Sequence, residues 1–421
     1  MKYYLAIDIG ASSGRHIVGW RDDASLQTEE VYRFPNGASE RDGHLIWDMD
    51  RLEAEVRAGI DAALRRFGKI ESLSIDTCVV DYVLLNGAEP ILPCYAYRDG
   101  RGQAAAEKVH ARISFKELYR RTGIQYQPFN TVYQLYDDLL NGRLENATDF
   151  LMIPEYLLYR LTGVKKHEYT NATTGGLIRA ETGSYDGEIL RRLGLPEKLF
   201  GPLSQPGETV GYYRDIRVVL CPTHDTASAV EGIPMEGDAL FLSSGTWSLL
   251  GAKILHPITS EESRLANLTN EGGVGYIRYL KNIMGLWILQ NLQKELKMSF
   301  PEMVDLARGS RYEGTFDANN PRFSAPKNMK EEILSALGEP VSDADLLMSV
   351  HRSLALCYVN AVSEIEDLTG KRYDTLYIVG GGAKNTLLNE LTAQYTRKKI
   401  IALPIEATAL GNLKIQMEAD A

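Results

Sequence analysis

A carboxylate at the corner between a strand and a helix is the first candidate for chemistry in this sequence. An apolar run at residues 216–220 leads into Cys221-Pro222-Thr223-His224-Asp225-Thr226, and small residues follow as in a closely packed helix. An ionised Asp225 at such a corner could accept the proton of an attacking hydroxyl. The same side chain could instead cap a helix that begins at Thr226. His224 by itself fits a structural histidine as well as a ligand, so the spacing leaves both interpretations open.

A second candidate is the segment Asp8-Ile9-Gly10-Ala11-Ser12-Ser13-Gly14-Arg15, which follows an apolar strand at residues 3–9. Backbone amides in a glycine-containing turn can approach phosphates closely, while serine hydroxyls add donors and Arg15 adds a positive charge. Asp8 is placed to hold a magnesium ion through water. The segment matches neither the G-x-x-x-x-G-K-[ST] loop nor the G-x-G-x-x-G pattern. A plain glycine hairpin with a surface aspartate remains the alternative.

Glycines and amides recur in the second half of the chain. Val379-Gly380-Gly381-Gly382 ends a predicted strand at residues 375–379, and such a turn can let a nucleotide lie against the backbone. A tight structural turn is the alternative. Residues 267–273 and 280–290 mix amide side chains with apolar residues, which would suit sugar hydroxyls or a nucleotide as well as an ordinary helix.

Strand-like and helix-like segments alternate along the chain, which predicts an α/β protein. The pattern predicts helices over residues 52–67 and 343–369, the second with Ser342 as N-cap and Gly370 as its end. A hairpin-like pattern near the N-terminus is repeated at residues 239–250, around Ser243-Ser244-Gly245-Thr246. Gly232, Pro234 and Gly237 interrupt the pattern between the two halves. We therefore predict two domains, residues 1–232 and 233–421.

The composition narrows the classes of function. The chain has 421 residues and a net charge of −10, which argues against a nucleic-acid partner, although local amides can still bind an anionic cofactor. No run approaches the ~18 apolar residues of a membrane span, and the N-terminal residues do not resemble a secretory signal, so we expect a cytoplasmic protein without membrane contact. The cysteines have no metal-binding spacing and are predicted to be buried free thiols.

Taken together, these segments resemble the FGGY carbohydrate kinases across nearly the whole chain. The stretches that carry the resemblance are Asp8-Ile9-Gly10-Ala11-Ser12-Ser13-Gly14-Arg15, Ala96-Tyr97-Arg98-Asp99, Gly123-Ile124-Gln125, Pro128-Phe129-Asn130-Thr131, Glu168-Tyr169-Thr170-Asn171-Ala172-Thr173-Thr174, His224-Asp225-Thr226-Ala227-Ser228-Ala229, Leu242-Ser243-Ser244-Gly245-Thr246-Trp247-Ser248-Leu249, Lys281-Asn282-Ile283-Met284-Gly285-Leu286-Trp287 and Ile378-Val379-Gly380-Gly381-Gly382. The resemblance implies two actin-like (ribonuclease H-like) ATPase domains around a central cleft.

The resemblance also implies a reaction and a role for each site residue. ATP would phosphorylate a ketose, and the first and sixth of these stretches favour L-rhamnulose over xylulose, glycerol or fuculose. Asp225 would accept the proton, and the implied sugar contacts are Val79, His224, Asp225, Thr226 and Asn282. The implied ATP-binding residues are Ala11, Ser12, Ser13, Gly14, Arg15, Thr246, Gln290 and Gly381. Magnesium would lie nearest Asp8, and the protein would be a monomer or homodimer.

The sequence departs from the family pattern at two places. The family members that act on L-rhamnulose carry Asp-Thr-Trp-Gly-Val-Asp, where this chain has Asp76-Thr77-Cys78-Val79-Val80-Asp81. The sugar pocket is therefore expected to differ, and another ketose such as fuculose, xylulose or ribulose stays an alternative. The second domain is also short at its C-terminus relative to the family. An actin-like ATPase without kinase activity and a sugar-binding regulator are the alternatives from other classes.

Overall fold

The computed structural model describes residues 1–22, 25–324, 326–403 and 405–421. Within these residues the strands are β1 (Tyr4–Ile9), β2 (Ser13–Asp22), β3 (Ser25–Pro35), β4 (Ser39–Arg41), β5 (His44–Trp47), β6 (Ser72–Thr77), β7 (Tyr82–Asn86), β8 (Glu89–Ile91), β9 (Cys94–Tyr95), β10 (Asp149–Met152), β11 (His167–Glu168), β12 (Ile178–Arg179), β13 (Ser184–Tyr185), β14 (Leu203–Ser204), β15 (Thr209–Tyr213), β16 (Ile216–Val219), β17 (Leu240–Ser244), β18 (Ser248–Ile254), β19 (Thr269–Gly272), β20 (Ile277–Ile283), β21 (Thr375–Val379) and β22 (Lys399–Ala402).

The α-helices of the same residues are α1 (Met49–Phe67), α2 (Arg101–Arg112), α3 (Phe115–Thr122), α4 (Thr131–Leu140), α5 (Ile153–Thr162), α6 (Tyr169–Ala172), α7 (Gly187–Leu193), α8 (Asp225–Gly232), α9 (Glu261–Leu265), α10 (Trp287–Leu296), α11 (Phe300–Arg308), α12 (Met329–Leu337), α13 (Asp343–Thr369), α14 (Thr386–Thr396) and α15 (Ala407–Glu418). Short 3₁₀ turns lie at Thr173–Gly175, Glu197–Leu199, Pro321–Phe323 and Gly381–Lys384.

The chain forms two compact units. The first contains Met1–Gly232, Ile254–Arg278 and Ala407–Ala421, and the second contains Ile233–Lys253 and Tyr279–Glu406. The first crossing from one unit to the other thus follows Gly232, but later segments return to the first unit. The division into two contiguous domains, residues 1–232 and 233–421, stays a prediction.

The first unit is built on a mixed sheet with the strand order β15-β16-β6-β1-β2-β3. Strands β1 and β6 are parallel, and so are β6 and β16, whereas β2 returns antiparallel to β1. Helix α1 covers this sheet because Leu52, Val56, Ile60 and Ala63 recur at helical spacing and are buried. The carboxyl ends of the parallel strands β1, β6 and β16 therefore meet at one edge of the sheet.

The second unit repeats part of this arrangement. Strands β20, β18, β17, β21 and β22 lie side by side in that order. Strand β17 is antiparallel to β18 and parallel to β21, as β1 is antiparallel to β2 and parallel to β6. The hairpin repeat seen in the sequence is therefore a repeat of topology. Helix α13 has the predicted bounds. The Ser342 hydroxyl accepts a hydrogen bond from the Asp345 amide at its start, and Gly370 has a φ of 67° at its end.

Helices α8 and α15 approach each other closely within the first unit. A side chain on Gly411 would overlap the Ser228 carbonyl oxygen, and one on Gly232 would overlap that of Ala407. Only glycine, which has no Cβ, permits this backbone approach. Helix α15 also reaches the central strands, because the Gln416 amide donates to the Leu5 carbonyl at 3.0 Å and accepts from the Ser72 hydroxyl at 2.7 Å.

Two further expectations concerned buried free cysteines and the absence of a membrane span. Cys94, Cys221 and Cys357 are buried free thiols as predicted, and Cys78, also free, is half-buried. Across residues 1–22, 25–324, 326–403 and 405–421, no helix is both long enough and apolar enough to cross a membrane.

Candidate active site

Two aspartates lie side by side at the carboxyl ends of β1 and β6. Asp8 and Asp76 are partners in the parallel register of these strands, and both are buried. Asp76 Oδ2 accepts a hydrogen bond from the Asn412 amide at 2.6 Å, whereas its Oδ1 is buried with no hydrogen-bond partner among the described residues. Burial and the negative charge of Asp8 raise the pKa of Asp76 well above its usual range, and Asp225 adds in the same direction. This concentration of carboxylates favours a cation.

Asp8 and Asp76 form a donor set that fits a magnesium ion. No group of three or more His, Cys, Asp and Glu side chains is arranged to hold a metal in the described part of the chain. Magnesium usually keeps several waters and takes only one or two carboxylates. Asp8, together with the unpartnered Asp76 Oδ1, matches that donor set. Asp76 was not among the predicted site residues, although its place at the end of a parallel strand could have indicated it.

The predicted phosphate-binding turn lies between β1 and β2. Gly10 donates its amide to the Ser13 carbonyl at 3.0 Å, and Ala11 and Ser12 are exposed. Across the hairpin, Arg15 Nε donates to Asp8 Oδ2 at 2.9 Å, and Arg15 Nη2 lies 2.8 Å from the same oxygen. Ala11, Ser12, Ser13, Gly14 and Arg15 are thus brought together beside Asp8, with the turn open to a ligand.

Asp225 lies at the same sheet edge, where it begins α8. A parallel bridge joins the adjacent His224 to Thr77 at the end of β6. Asp225 Oδ1 accepts the amide of the next residue, Thr226, at 2.6 Å. An N-cap side chain would instead accept an amide two or three residues on. The Asp225 side chain is 32% exposed, so a carboxylate oxygen is available to a substrate.

His224 connects Asp225 to buried charges behind it. His224 Nε2 lies 3.3 Å from Asp225 Oδ1, and His224 Nδ1 lies 3.0 Å from Arg278 Nη2. Arg278 Nη2 is also 3.3 Å from Glu271 Oε2. Neither Arg278 nor Glu271 was among the predicted site residues, although Glu271 lies within the segment 267–273 that the sequence indicated. Of the predicted sugar-binding residues, His224, Asp225 and Thr226 are brought together here.

The segment after β6, where the sequence departs from the family pattern, is firmly held. Val80 is buried at a φ of 73°, which is unusual for a β-branched residue and costs about 1–3 kcal/mol. The next residue, Asp81, accepts hydrogen bonds from the Trp47 indole, the Tyr97 backbone amide and the Gln134 side-chain amide. Burial raises the pKa of Asp81 to about 6. Val79 is half-buried between the two aspartates Asp76 and Asp81.

In the second unit, Thr246 and Gln290 come together. Thr246 lies in the turn between β17 and β18, and its hydroxyl donates to Gln290 Oε1 at 3.3 Å. The start of α10 is fixed to this turn, because Leu286 and Trp287 donate their amides to the Gly245 and Thr246 carbonyls. Asn282, in the part of β20 that belongs to this unit, is half-buried, and its Oδ1 is buried and accepts no hydrogen bond from the residues that the structure describes. That oxygen could accept from a ligand hydroxyl.

In the glycine turn after β21, an added Cβ would have room at only one of the three positions. Side chains on Gly380 or Gly382 would clash with Ser244, and Gly380 has a φ of 82°. Gly381 is exposed, and a Cβ there would meet no atom of the described residues within 4 Å. Ser244 ends β17, two residues before Thr246. Gly381, Thr246 and Gln290, the predicted nucleotide contacts of this unit, are thus on neighbouring segments.

We expect Gly381→Leu to raise the KM for ATP about tenfold or more, because an overpacked contact costs about 1–3 kcal/mol. The melting temperature should stay near that of the wild type, since the structure leaves space for the new side chain. Steady-state kinetics and thermal unfolding measure both. Gly382→Ala is the matched comparison, and it should lower stability because its Cβ would overlap Ser244. An unchanged KM for Gly381→Leu would remove Gly381 from the nucleotide site.

Comparison with known proteins gives the family. Residues 3–221 match the N-terminal domain and residues 240–419 the C-terminal domain of the FGGY family of carbohydrate kinases. The chain belongs to this family. It is 41% identical to a protein of Halalkalibacterium halodurans named rhamnulokinase, with 100% of this chain and 94% of the relative covered. It is 38% identical to a Bacillus subtilis protein of the same name, with 99% and 90% covered.

As a member of the FGGY family, the chain is a sugar kinase, and the prediction of a carbohydrate kinase is confirmed. Solved structures agree on the fold. A xylulose kinase from Lactobacillus acidophilus has a TM-score of 0.82 at 15% identity, covering 100% of this chain and 89% of its own. A glycerol kinase from Plasmodium falciparum has a TM-score of 0.80 at 13% identity, covering 100% and 90%. The predicted class, α/β with two actin-like (ribonuclease H-like) domains, is confirmed.

Proposed function

We propose that this FGGY kinase transfers the γ-phosphoryl group of ATP to the 1-hydroxyl of L-rhamnulose, giving ADP and L-rhamnulose 1-phosphate. The observation that carries the proposal is the position of Asp225, a partly exposed carboxylate that follows His224, which is bridged to the end of β6, the strand paired with the Asp8-bearing β1. The choice of sugar rests on relatives of about 40% identity that are named rhamnulokinase.

Asp225 is proposed to act as the general base. Its carboxylate accepts the proton of the sugar hydroxyl as the hydroxyl oxygen forms a bond to the γ-phosphorus and the bond to the β-phosphate oxygen breaks. In phosphoryl transfer the base chiefly orients the nucleophile. The Thr226 amide fixes Asp225 Oδ1 at 2.6 Å, so Oδ2 is the oxygen that remains for the substrate.

Residues Ala11, Ser12, Ser13, Gly14 and Arg15 are proposed to hold the phosphates of ATP. The exposed backbone of Ala11 and Ser12 offers amides, the serines offer hydroxyls, and Arg15 offers a guanidinium already oriented by Asp8. A magnesium ion, when bound near Asp8 and Asp76, would neutralise charge on the phosphate oxygens. Thr246, Gln290 and Gly381 are proposed nucleotide contacts, and Asn282 and Val79 are proposed sugar contacts.

The substrate is tested by ADP release from magnesium ATP with a panel of ketoses. We expect kcat/KM to be highest for L-rhamnulose, with fuculose, xylulose and ribulose far lower. Turnover without sugar is the baseline. A higher kcat/KM for another ketose would contradict the substrate, and no stimulation by any sugar would contradict the kinase activity of this chain.

A different ketose is the second candidate, and one observation favours it. Cys78 and Val79 replace a tryptophan and a glycine of the family pattern, and they lie between Asp76 and the strained Val80. The side-chain volume next to the proposed sugar site therefore differs from that of the pattern. The double variant Cys78→Trp with Val79→Gly, assayed with the same ketose panel, separates the candidates. Its preference among the ketoses should differ from that of the wild type only if these residues contact the sugar.

A further inference from the structure

A fully buried arginine lies behind the proposed base. Arg278 is the last residue of the first unit's segment Ile254–Arg278, near the start of β20, whose remainder belongs to the second unit, and its side chain is 0% exposed. The neighbouring Glu271 and His224 side chains are 7% and 4% exposed. Burying a guanidinium costs several kcal/mol unless it is paired. Arg278 has such partners, since it faces Glu271 Oε2 at 3.3 Å and donates from Nε to the Gly272 carbonyl at 2.9 Å.

The contact between Arg278 and His224 is a hydrogen bond whose donor and acceptor can be assigned. Arg278 Nη2 lies 3.0 Å from His224 Nδ1. A guanidinium carries only donors and stays protonated in proteins, so Nδ1 must be the acceptor. Glu271 Oε2 lies farther from Nδ1, at 3.5 Å, and makes no hydrogen bond within the described residues. Glu271 therefore acts as the charge partner of Arg278.

Because Nδ1 of His224 is the acceptor, the ring proton lies on Nε2. A neutral imidazole carries one proton, and when Nδ1 accepts a hydrogen bond the proton lies on Nε2. An imidazolium, or the opposite tautomer, would set an N–H of His224 against an N–H of Arg278. His224 Nε2 is 3.3 Å from Asp225 Oδ1. The protonated nitrogen thus lies near the carboxylate of the proposed base, whose Oδ1 also accepts from the Thr226 amide.

We infer that Arg278 is a positioning residue for phosphoryl transfer, which holds His224 in the Nε2–H tautomer and through it orients the Asp225 carboxylate. The inference deepens the proposed function, because it requires Asp225 to be the base. In the opposite tautomer a lone pair would face Asp225 Oδ1 and repel it. The carboxylate would then turn away from the orientation that leaves Oδ2 for the sugar hydroxyl.

The first test reads the tautomer directly. Nitrogen NMR of the full-length protein, labelled with 15N-histidine at neutral pH, distinguishes Nε2–H, Nδ1–H and imidazolium rings. The signals of His224 are those lost in His224→Asn. We expect the Nε2–H pattern in the wild type. An Nδ1–H or imidazolium pattern would overturn the inference, whatever the activity of the protein.

The second test removes the donor. Arg278→Met should abolish the preference for Nε2–H and lower kcat about 10- to 100-fold, a smaller loss than the ~10²–10⁴-fold of a missing general base, while the KM for ATP changes less than about twofold. Arg278→Lys keeps a charged donor and should restore part of kcat. Arg264→Met is the control, because Arg264 pairs with Glu261 and not with His224. Wild-type kcat or an unchanged tautomer in Arg278→Met would overturn the inference.

If Arg278→Met does not fold, Arg278→Met with Glu271→Gln removes both buried charges and avoids an unpaired carboxylate. The same loss of tautomer preference and kcat is expected, and their retention would overturn the inference. The wild-type spectrum, assigned with His224→Asn, decides the tautomer without any variant of Arg278. Failure of L-rhamnulose in the ketose panel would contradict the proposed function and leave the tautomer assignment standing, so the two failures are distinguishable.

Discussion

Asp225→Asn is expected to lower kcat by about 10²–10⁴-fold, equivalent to about 3–5 kcal/mol of transition-state stabilisation. An amide cannot accept the sugar proton, although it is nearly isosteric with the carboxylate. ATP should still bind, because the nucleotide is proposed to contact other residues. Single-turnover assays of sugar phosphate measure the loss, and isothermal titration with a non-hydrolysable ATP analogue measures the retained affinity.

Asp215→Asn is the matched control for this experiment. It makes the same change of charge at an exposed aspartate in the turn between β15 and β16. We expect near-native turnover from it. If Asp225→Asn also kept near-native turnover, the carboxylate would have a structural role at the start of α8 and the general-base role would be wrong.

Asp8→Asn is expected to lower kcat by about two orders of magnitude and to raise the magnesium concentration needed for half-maximal rate. The variant removes the Asp8 carboxylate, which is adjacent to that of Asp76. It thereby also removes the charge that orients Arg15, whose Nη2 lies 2.8 Å from Asp8 Oδ2. It also removes a negative charge that raises the pKa of Asp76, so Asp76 should ionise at a lower pH than in the wild type. Rates measured across a magnesium titration report the change.

Asp22→Asn supplies the control, since Asp22 is exposed at the far end of β2 in the same hairpin. Its magnesium dependence should match the wild type. The variant Arg15→Met separates the two roles of Asp8, because it loses the guanidinium and keeps the carboxylate. A wild-type magnesium profile in Asp8→Asn would show that Asp8 does not take part in holding the metal.

Local signals explain why some elements could be predicted from sequence alone. The bounds of α13 were predictable because Ser342 caps its first turn and Gly370 adopts a positive φ at its end. Both hairpins were predictable because each has small, hydroxyl-bearing residues between two apolar strands. Asp225 could be selected for the same reason, since a strand-to-helix corner is visible in a short stretch of sequence.

Long-range packing explains what the sequence could not show. Asn412 reaches Asp76 across 336 positions, and Arg278 reaches His224 across 54 positions. No periodicity or motif marks either residue, because the partner is set by how strands and helices assemble. The positive φ of Val80 was equally unpredictable, since β-branched residues rarely adopt it and the donors to its carbonyl, Thr131 and Gln134, lie far along the chain.

The glycine contact between α8 and α15 has a consequence for synthesis on the ribosome. Helix α8 opens with Asp225 and leaves the ribosome long before Ala407–Glu418, the segment that packs against it and supplies Asn412 to Asp76. Protein domains generally fold from the N-terminal side as the chain emerges. Here a nascent chain that ends at residue 232 lacks helix α15, which covers α8. It also lacks the Asn412 amide, which donates a hydrogen bond to Asp76. The first unit thus acquires its complete set of contacts only after the second unit has been translated.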